Sequence, residues 1–96
     1  MKGYWIILGT DVIDADAQKE YSQLWAPICK KYGASVRLLD PGALLESVTT
    51  KRVLVVEFPS YEQAKACNID PDYAKARSVA FRAYKREMII IEGNLA

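Results

Sequence analysis

At 96 residues the chain holds one domain near the lower edge of the usual size range, and 51 % hydrophobic with 26 % charged residues is a globular composition that excludes a disordered or fibrous chain. Thirteen Lys and Arg against twelve Asp and Glu leave a formal charge of +1, so no net field draws the protein to nucleic acid or to an anionic membrane. Histidine is absent, which excludes Ser-His-Asp and Cys-His nucleophile sets, imidazole zinc sites and a histidine general base, and leaves carboxylates, Tyr, Lys, Arg and two thiols to carry any chemistry.

Trp5 to Leu8 is too short an apolar run for a signal-peptide core or a membrane span, and Cys29 and Cys67 form neither a C-x-x-C pair nor a disulfide framework. The expectation is a soluble, unprocessed, cytoplasmic protein with reduced thiols. Tyr4 to Leu8 (YWIIL), bounded by Gly3 and Gly9, reads as a central strand apolar on both faces. Asp11 to Asp16 carries turn and cap chemistry, with Asp14 the best N-cap. Ala17, Tyr21, Leu24, Ile28 and Tyr32 recur on one helical face, so a helix is expected from about Ala15 to Tyr32. Pro27 should kink it, and Gly33 suits the left-handed position that follows.

Ser35 to Leu39 reads as a strand, Asp40-Pro41-Gly42 as a turn and Ala43 to Ser47 as a second extended piece. Arg52 to Phe58 is the clearest strand, with four apolar residues in succession. Ser60 and Gln63 form an S-x-x-Q capping box that starts a helix at Tyr61. That helix falters near Cys67-Asn68 and restarts with Asp70 as N-cap and Pro71 at its first position. Tyr73, Ala76, Ala80 and Tyr84 mark its buried face, Tyr84 to Met88 (YKREM) reads as a solvated helix exit, and Met88 to Ile91 is a last strand closed by Glu92-Gly93-Asn94.

The order β-α-β-β-α-β with a broken second helix predicts an α+β, ferredoxin-like domain: a four-stranded antiparallel-type sheet with both helices on one face. Since the first, third and last strands are apolar on both faces, something must cover the other face, and a homodimer packed sheet to sheet is the economical answer.

The segments DVIDADAQKEY, KYG, VLVVEFPSYEQA, DPDYAKA and the terminal IEG resemble, in order and spacing, the domain-of-unknown-function family thirteen-thirty of the dimeric α/β-barrel superfamily. The resemblance spans about Tyr4 to Gly93, and Glu57 to Ser60 (EFPS) is its most specific piece. It implies a ferredoxin-like subunit whose sheet meets a partner's sheet. The wider superfamily spans cofactor-free monooxygenases, lactone isomerases, haem proteins and ligand-binding regulators, so the fold selects no activity. The chain departs from the family pattern at Leu39 to Gly42, where members often carry Arg-Gly-Gly, and at Ala80, where they often carry Arg.

Glu57 shares a strand face with Val53 and Val55 and is a candidate acid or base; the alternative is a strand end or interface ion pair. Arg77, beside the helix face of Tyr73 and Tyr84, is a candidate to hold a carboxylate or enolate, with pairing to Glu57 as its structural alternative. Tyr21, Tyr73 and Trp5 are candidate ligand-binding rings in a pocket between helices and sheet, or simply core. Asp11 and Asp14 lack a third ligand, so no metal is expected, and no motif points to a cofactor. The sequence leads to a small-molecule-binding protein, with monooxygenase- or isomerase-like acid-base turnover as its catalytic form. A non-catalytic dimerisation or regulatory module is the alternative.

Overall fold

The computed structural model of the protein describes residues 1–93, apart from the side chain of Pro41. Strand β1 (Gly3–Gly9) leads into helix α1 (Ala15–Lys31), strand β2 (Ser35–Leu38), a short 3-10 turn (Pro41–Ala43) and strand β3 (Arg52–Phe58). Helices α2 (Tyr61–Ile69) and α3 (Pro71–Ala83) and strand β4 (Arg86–Glu92) complete the chain. The sheet order is β2-β3-β1-β4, all neighbours antiparallel, so β1 is central as its two-sided apolar run predicts. The architecture is the expected α+β, ferredoxin-like one.

Local chemistry sets the helix boundaries. Asp14 accepts from the Ala17 amide at 3.0 Å and Ser60 from the Gln63 amide at 3.1 Å, each taking one of the free N–H groups of a first turn. Asp70 ends α2 and caps α3, accepting from the Asp72 amide at 2.8 Å with Pro71 just behind it. Helix α1 continues through Pro27, and Gly33 adopts φ +62° beyond its end, where a side chain would be strained.

The strand pleat sorts residues onto two faces. Trp5 and Ile7 of β1, opposed by Val56 and Leu54 of β3 and by Ile90 and Met88 of β4, face the helices. They pack there with Phe58, Ile28, Ala64 and Tyr73. Gly3 and Gly9, which the sequence offers as strand boundaries, lie inside β1 on this same face. A Cβ at Gly3 would stand 2.6 Å from the Tyr61 Cα, and one at Gly9 2.5 Å from the Tyr84 ring. They are sites of close approach between strand and helix layer. The opposite face carries Ile6, Leu8, Val53, Val55, Ile89 and Ile91, with no helix of the described residues over it.

Two expectations need correction. The extended piece expected at Ala43 to Ser47 is not regular: Ala43 ends the 3-10 turn, and the chain from there to β3 is irregular, lying beyond β2 at the edge of the sheet. Leu45 and Val48 in that connection are 89 % and 96 % exposed. The YKREM stretch is not a solvated helix exit. Tyr84 is buried, and β4 starts at Arg86, two residues earlier than the apolar run suggests, because pairing with Gly9 extends the ladder. Asn94 of the expected closing turn lies outside the described residues. No described helix is long and apolar enough to cross a membrane.

Candidate functional site

An aromatic cluster joins the helix layer to the sheet. Trp5 lies 4.8 Å from Phe58, 4.8 Å from Tyr73 and 5.8 Å from Trp25 between ring centroids, and Trp25 meets Tyr73 edge-on at 5.9 Å. Such tilted and edge-on pairs contribute about 0.5–1.5 kcal/mol each beyond their area burial. The Trp5 indole donates to the Ala64 carbonyl at 3.0 Å, so this buried polar atom is satisfied while the ring fixes α2 on the sheet.

Beside Trp5 a groove of about 650 Å³ runs between α2 and the edge strand β4. Trp5, Met88, Ile89 and Ile90 line it from the sheet, and Glu62, Lys65, Ala66, Asn68 and Ile69 line it from α2. The helix supplies these side chains because residues three and four apart share a face. A mainly apolar floor under a few polar side chains, at a volume of this order, is the usual make-up of a small-molecule site.

Behind the groove, Tyr73 holds two arginines. Arg77 stands 5.0 Å from the Tyr73 ring centroid, and its Nη2 donates to the carbonyl and side-chain oxygens of Asn68 at 2.6 and 2.7 Å. It therefore ties α3 to the last turn of α2, whose carbonyls lack helical partners. Arg86 donates to the Tyr73 hydroxyl at 2.8 Å and lies 5.5 Å from the Tyr21 ring centroid. Burial opposes its charge, but the oxygens of Tyr73 and Tyr21 outweigh that and hold the guanidinium protonated. Burial, together with the neighbouring Tyr73, raises the Tyr21 phenol above its ordinary range.

Tyr21, Tyr73 and Trp5 thus come together, with Arg77 beside Tyr73. Glu57 does not join them. Opposed to Tyr4 across the β1–β3 ladder, it faces away from the helices, and a sheet separates it from Arg77. It lines a hollow of about 370 Å³ with Tyr4, Arg37 and Val55, and accepts from the Lys2 ammonium at 3.0 Å. That hydrogen bond holds its carboxyl below the usual carboxylate range, which favours an ion-pair partner over a proton donor. The expectation that Glu57 and Arg77 work in one helix-to-sheet pocket is corrected: strand alternation puts them on opposite sides, and each already has a partner.

Arg86 is the residue that sequence reading missed. Its signal is visible only in the register, which seats Arg86 opposite Gly9 on the helix face. The thiols are poor nucleophiles: burial pushes Cys67 up to about 12 and also raises Cys29. Among the described residues, no cluster of His, Cys, Asp and Glu could hold a metal ion.

Comparison with known proteins places the fold. A crystal structure of a protein of unknown function from Rhodopseudomonas palustris superposes at a TM-score of 0.70 with 16 % identity, covering 99 % of this chain and 84 % of the other. A dimeric ferredoxin-like protein of unknown function from Jannaschia superposes at 0.74 with 11 % identity, covering 97 % and 100 %. The cofactor-independent oxygenase SnoaB from Streptomyces nogalater, in a variant form, superposes at 0.71 with 10 % identity, covering 99 % and 95 %. At such identities the likeness is one of fold. No curated protein matches the chain. The model of the family described as Domain of unknown function (DUF1330) matches residues 2–94.

Proposed function

Because the chain belongs to the DUF1330 family, whose description assigns no activity, we propose its function from its own geometry: it binds a small, largely apolar organic molecule in the groove between α2 and β4. The observation that carries this reading is the groove itself, with Trp5, Met88 and Ile90 as an apolar floor and Lys65 and Asn68 as polar side chains above it. Trp5 is the proposed contact, and Tyr73, Tyr21 and Arg77 hold it and the groove wall in place. The likeness in fold to a cofactor-independent oxygenase is compatible with turnover of the bound molecule, but a Glu57–Arg77 pair has no part in this reading. We further propose that two copies pair through the helix-free sheet face, with Glu57 and Lys2 at its margin. The dimeric state of a structurally similar protein supports this.

The test is occlusion. Ala66 is exposed on α2 and lines the groove, so Ala66→Trp fills the space without touching the core. A panel of small aromatic and aliphatic acids, ketones and alcohols is screened by thermal shift and Trp fluorescence. At least one should raise the midpoint of the wild type and leave Ala66→Trp unmoved, while far-UV circular dichroism shows the variant folded. A panel without effect on the wild type, or with equal effect on both, rejects the reading. It would then favour the second one, a non-catalytic dimerisation module, for which the apolar helix-free face is the specific observation.

A further inference from the structure

The side chains lining the α2–β4 groove carry no net charge. Glu62 and Lys65 are the acid and the base among them, and both are exposed. The Lys65 ammonium lies 4.6 Å from the ring centroid of Tyr61, one turn back on the same helix. The Trp5 indole N–H already donates to the Ala64 carbonyl. Asn68 is the remaining polar side chain of the lining, and unlike Glu62 and Lys65 it is half-buried.

Asn68 is also fixed in orientation. The Arg77 Nη2 donates to its backbone carbonyl at 2.6 Å and to its Oδ1 at 2.7 Å. A guanidinium has donors and no acceptor, so the end of the amide that meets it is the oxygen; the reverse orientation would set N–H against N–H. Arg77 stands 5.0 Å from the Tyr73 ring centroid and is not among the residues that line the groove. With Oδ1 turned to Arg77, the end of Asn68 left for the groove is Nδ2, whose two N–H groups meet no acceptor among the described residues. A donor already held by a charged neighbour loses little freedom when a ligand binds, and a half-buried one competes with less water than an exposed one. The group that fits it is an oxygen acceptor, and a lining without net charge gives an anion no advantage over a neutral molecule.

We propose that Asn68 sets the ligand class of this groove: a small, neutral carbonyl compound, a ketone or an ester, whose oxygen accepts from Asn68 Nδ2 while its apolar body lies against Trp5, Met88 and Ile90. This inference rests on the groove being the binding site and adds the polar contact that orients the ligand there. Asn68 is the contact, and Arg77 is a positioning residue that acts through it.

The probes are acetophenone, ethylbenzene, which keeps nearly the same shape without the oxygen, and benzoate, which adds a charge. Each is titrated at constant ionic strength into the wild type, Asn68→Asp and Arg77→Met, with two-dimensional amide spectra reading the Trp5 indole and the Asn68 side-chain NH2 signals. Asn68→Asp keeps the size and the contact to Arg77 but presents an oxygen to the groove in place of the donor. The wild type should bind acetophenone about tenfold or more tightly than ethylbenzene, which corresponds to about 1.4 kcal/mol. Acetophenone should also move the Asn68 NH2 signals, which ethylbenzene leaves in place. Asn68→Asp should lose the preference while holding ethylbenzene as the wild type does, and Arg77→Met, which frees the amide to turn, should reduce it. A wild type that holds acetophenone and ethylbenzene equally, both perturbing the Trp5 indole, overturns this inference and leaves the groove reading intact. Benzoate as the tightest ligand overturns the neutral class in the same way. If none of the three perturbs Trp5, the inference also falls, while the wider panel on Ala66→Trp still decides the groove itself. Should Asn68→Asp fail to fold, the wild-type NH2 signals decide, because both aromatic probes carry the ring and only acetophenone carries the acceptor.

Discussion

Asp70 does three things with two oxygens. Oδ1 caps α3 through the Asp72 amide, while Oδ2 accepts from the Tyr32 hydroxyl at 2.6 Å and the Lys31 ammonium at 2.9 Å, fastening the end of α1 to the α2–α3 joint. The Tyr32 hydrogen bond, then Lys31 and the Asp72 amide, depress its pKa from 3.8 to about 2. A depressed carboxylate contributes stability that is fully present above the unfolded value and is lost as pH falls through the folded one, so this contribution fades between 3.8 and about 2. Asp70→Asn preserves capping ability but removes the charge. It should lower the urea midpoint at neutral pH and flatten the acid limb of the stability profile across that window; an unchanged acid limb would show that other carboxylates govern it. The cap and Pro71 are legible in the sequence. The bond from Tyr32, 38 residues away, is not, because it exists only once the helices have packed.

At the scale of elements, β1 shows how one residue type is read in two ways. Gly3 and Gly9 look like punctuation around a short strand, yet both lie within the ladder and admit α2 and Tyr84 to close range. Gly9→Ala would drive a methyl group into the Tyr84 ring at 2.5 Å. Overpacking of this kind typically costs about 1–3 kcal/mol, so the chemical-denaturation midpoint should fall without a change in the slope of the transition. A Gly9→Ala variant as stable as the wild type would mean that Tyr84 yields without cost. Helix edges, by contrast, follow local chemistry, since Asp14, Ser60 and Asp70 each cap where their sequence context says. The segment after the Pro41–Ala43 turn, read as an extended piece, joins no ladder, because extended propensity forms a strand only beside a partner edge and β2 occupies the sheet's margin.

At the scale of the molecule, the helix layer covers one face of the sheet and leaves Ile6, Leu8, Val53, Val55, Ile89 and Ile91 on the other, with Ile89 57 % exposed. The proposed sheet-to-sheet dimer predicts that Val55→Asp, which places a charge on that face with no helix contact to lose, shifts the protein to monomer. Sedimentation at micromolar concentration is the readout, with circular dichroism to confirm the fold. A wild type that is itself monomeric there would defeat the dimer while leaving the groove standing, since it is built within one chain.

The amino-acid sequence by itself determined the order of elements, the three helix starts and the two-faced apolarity of the sheet, because periodicity and capping act over a few residues at a time. It also brought forward the rings that meet, Trp5, Tyr21 and Tyr73, since aromatics at core spacing tend to converge. Only the tertiary structure decided which side of the sheet each strand residue takes relative to the helices. That choice put Glu57 on the helix-free face, away from Arg77, and turned Arg52 and Arg86 inward on either side of Gly9. Register joins residues far apart in the chain and is fixed by the packing of whole strands, so no local pattern could have announced it.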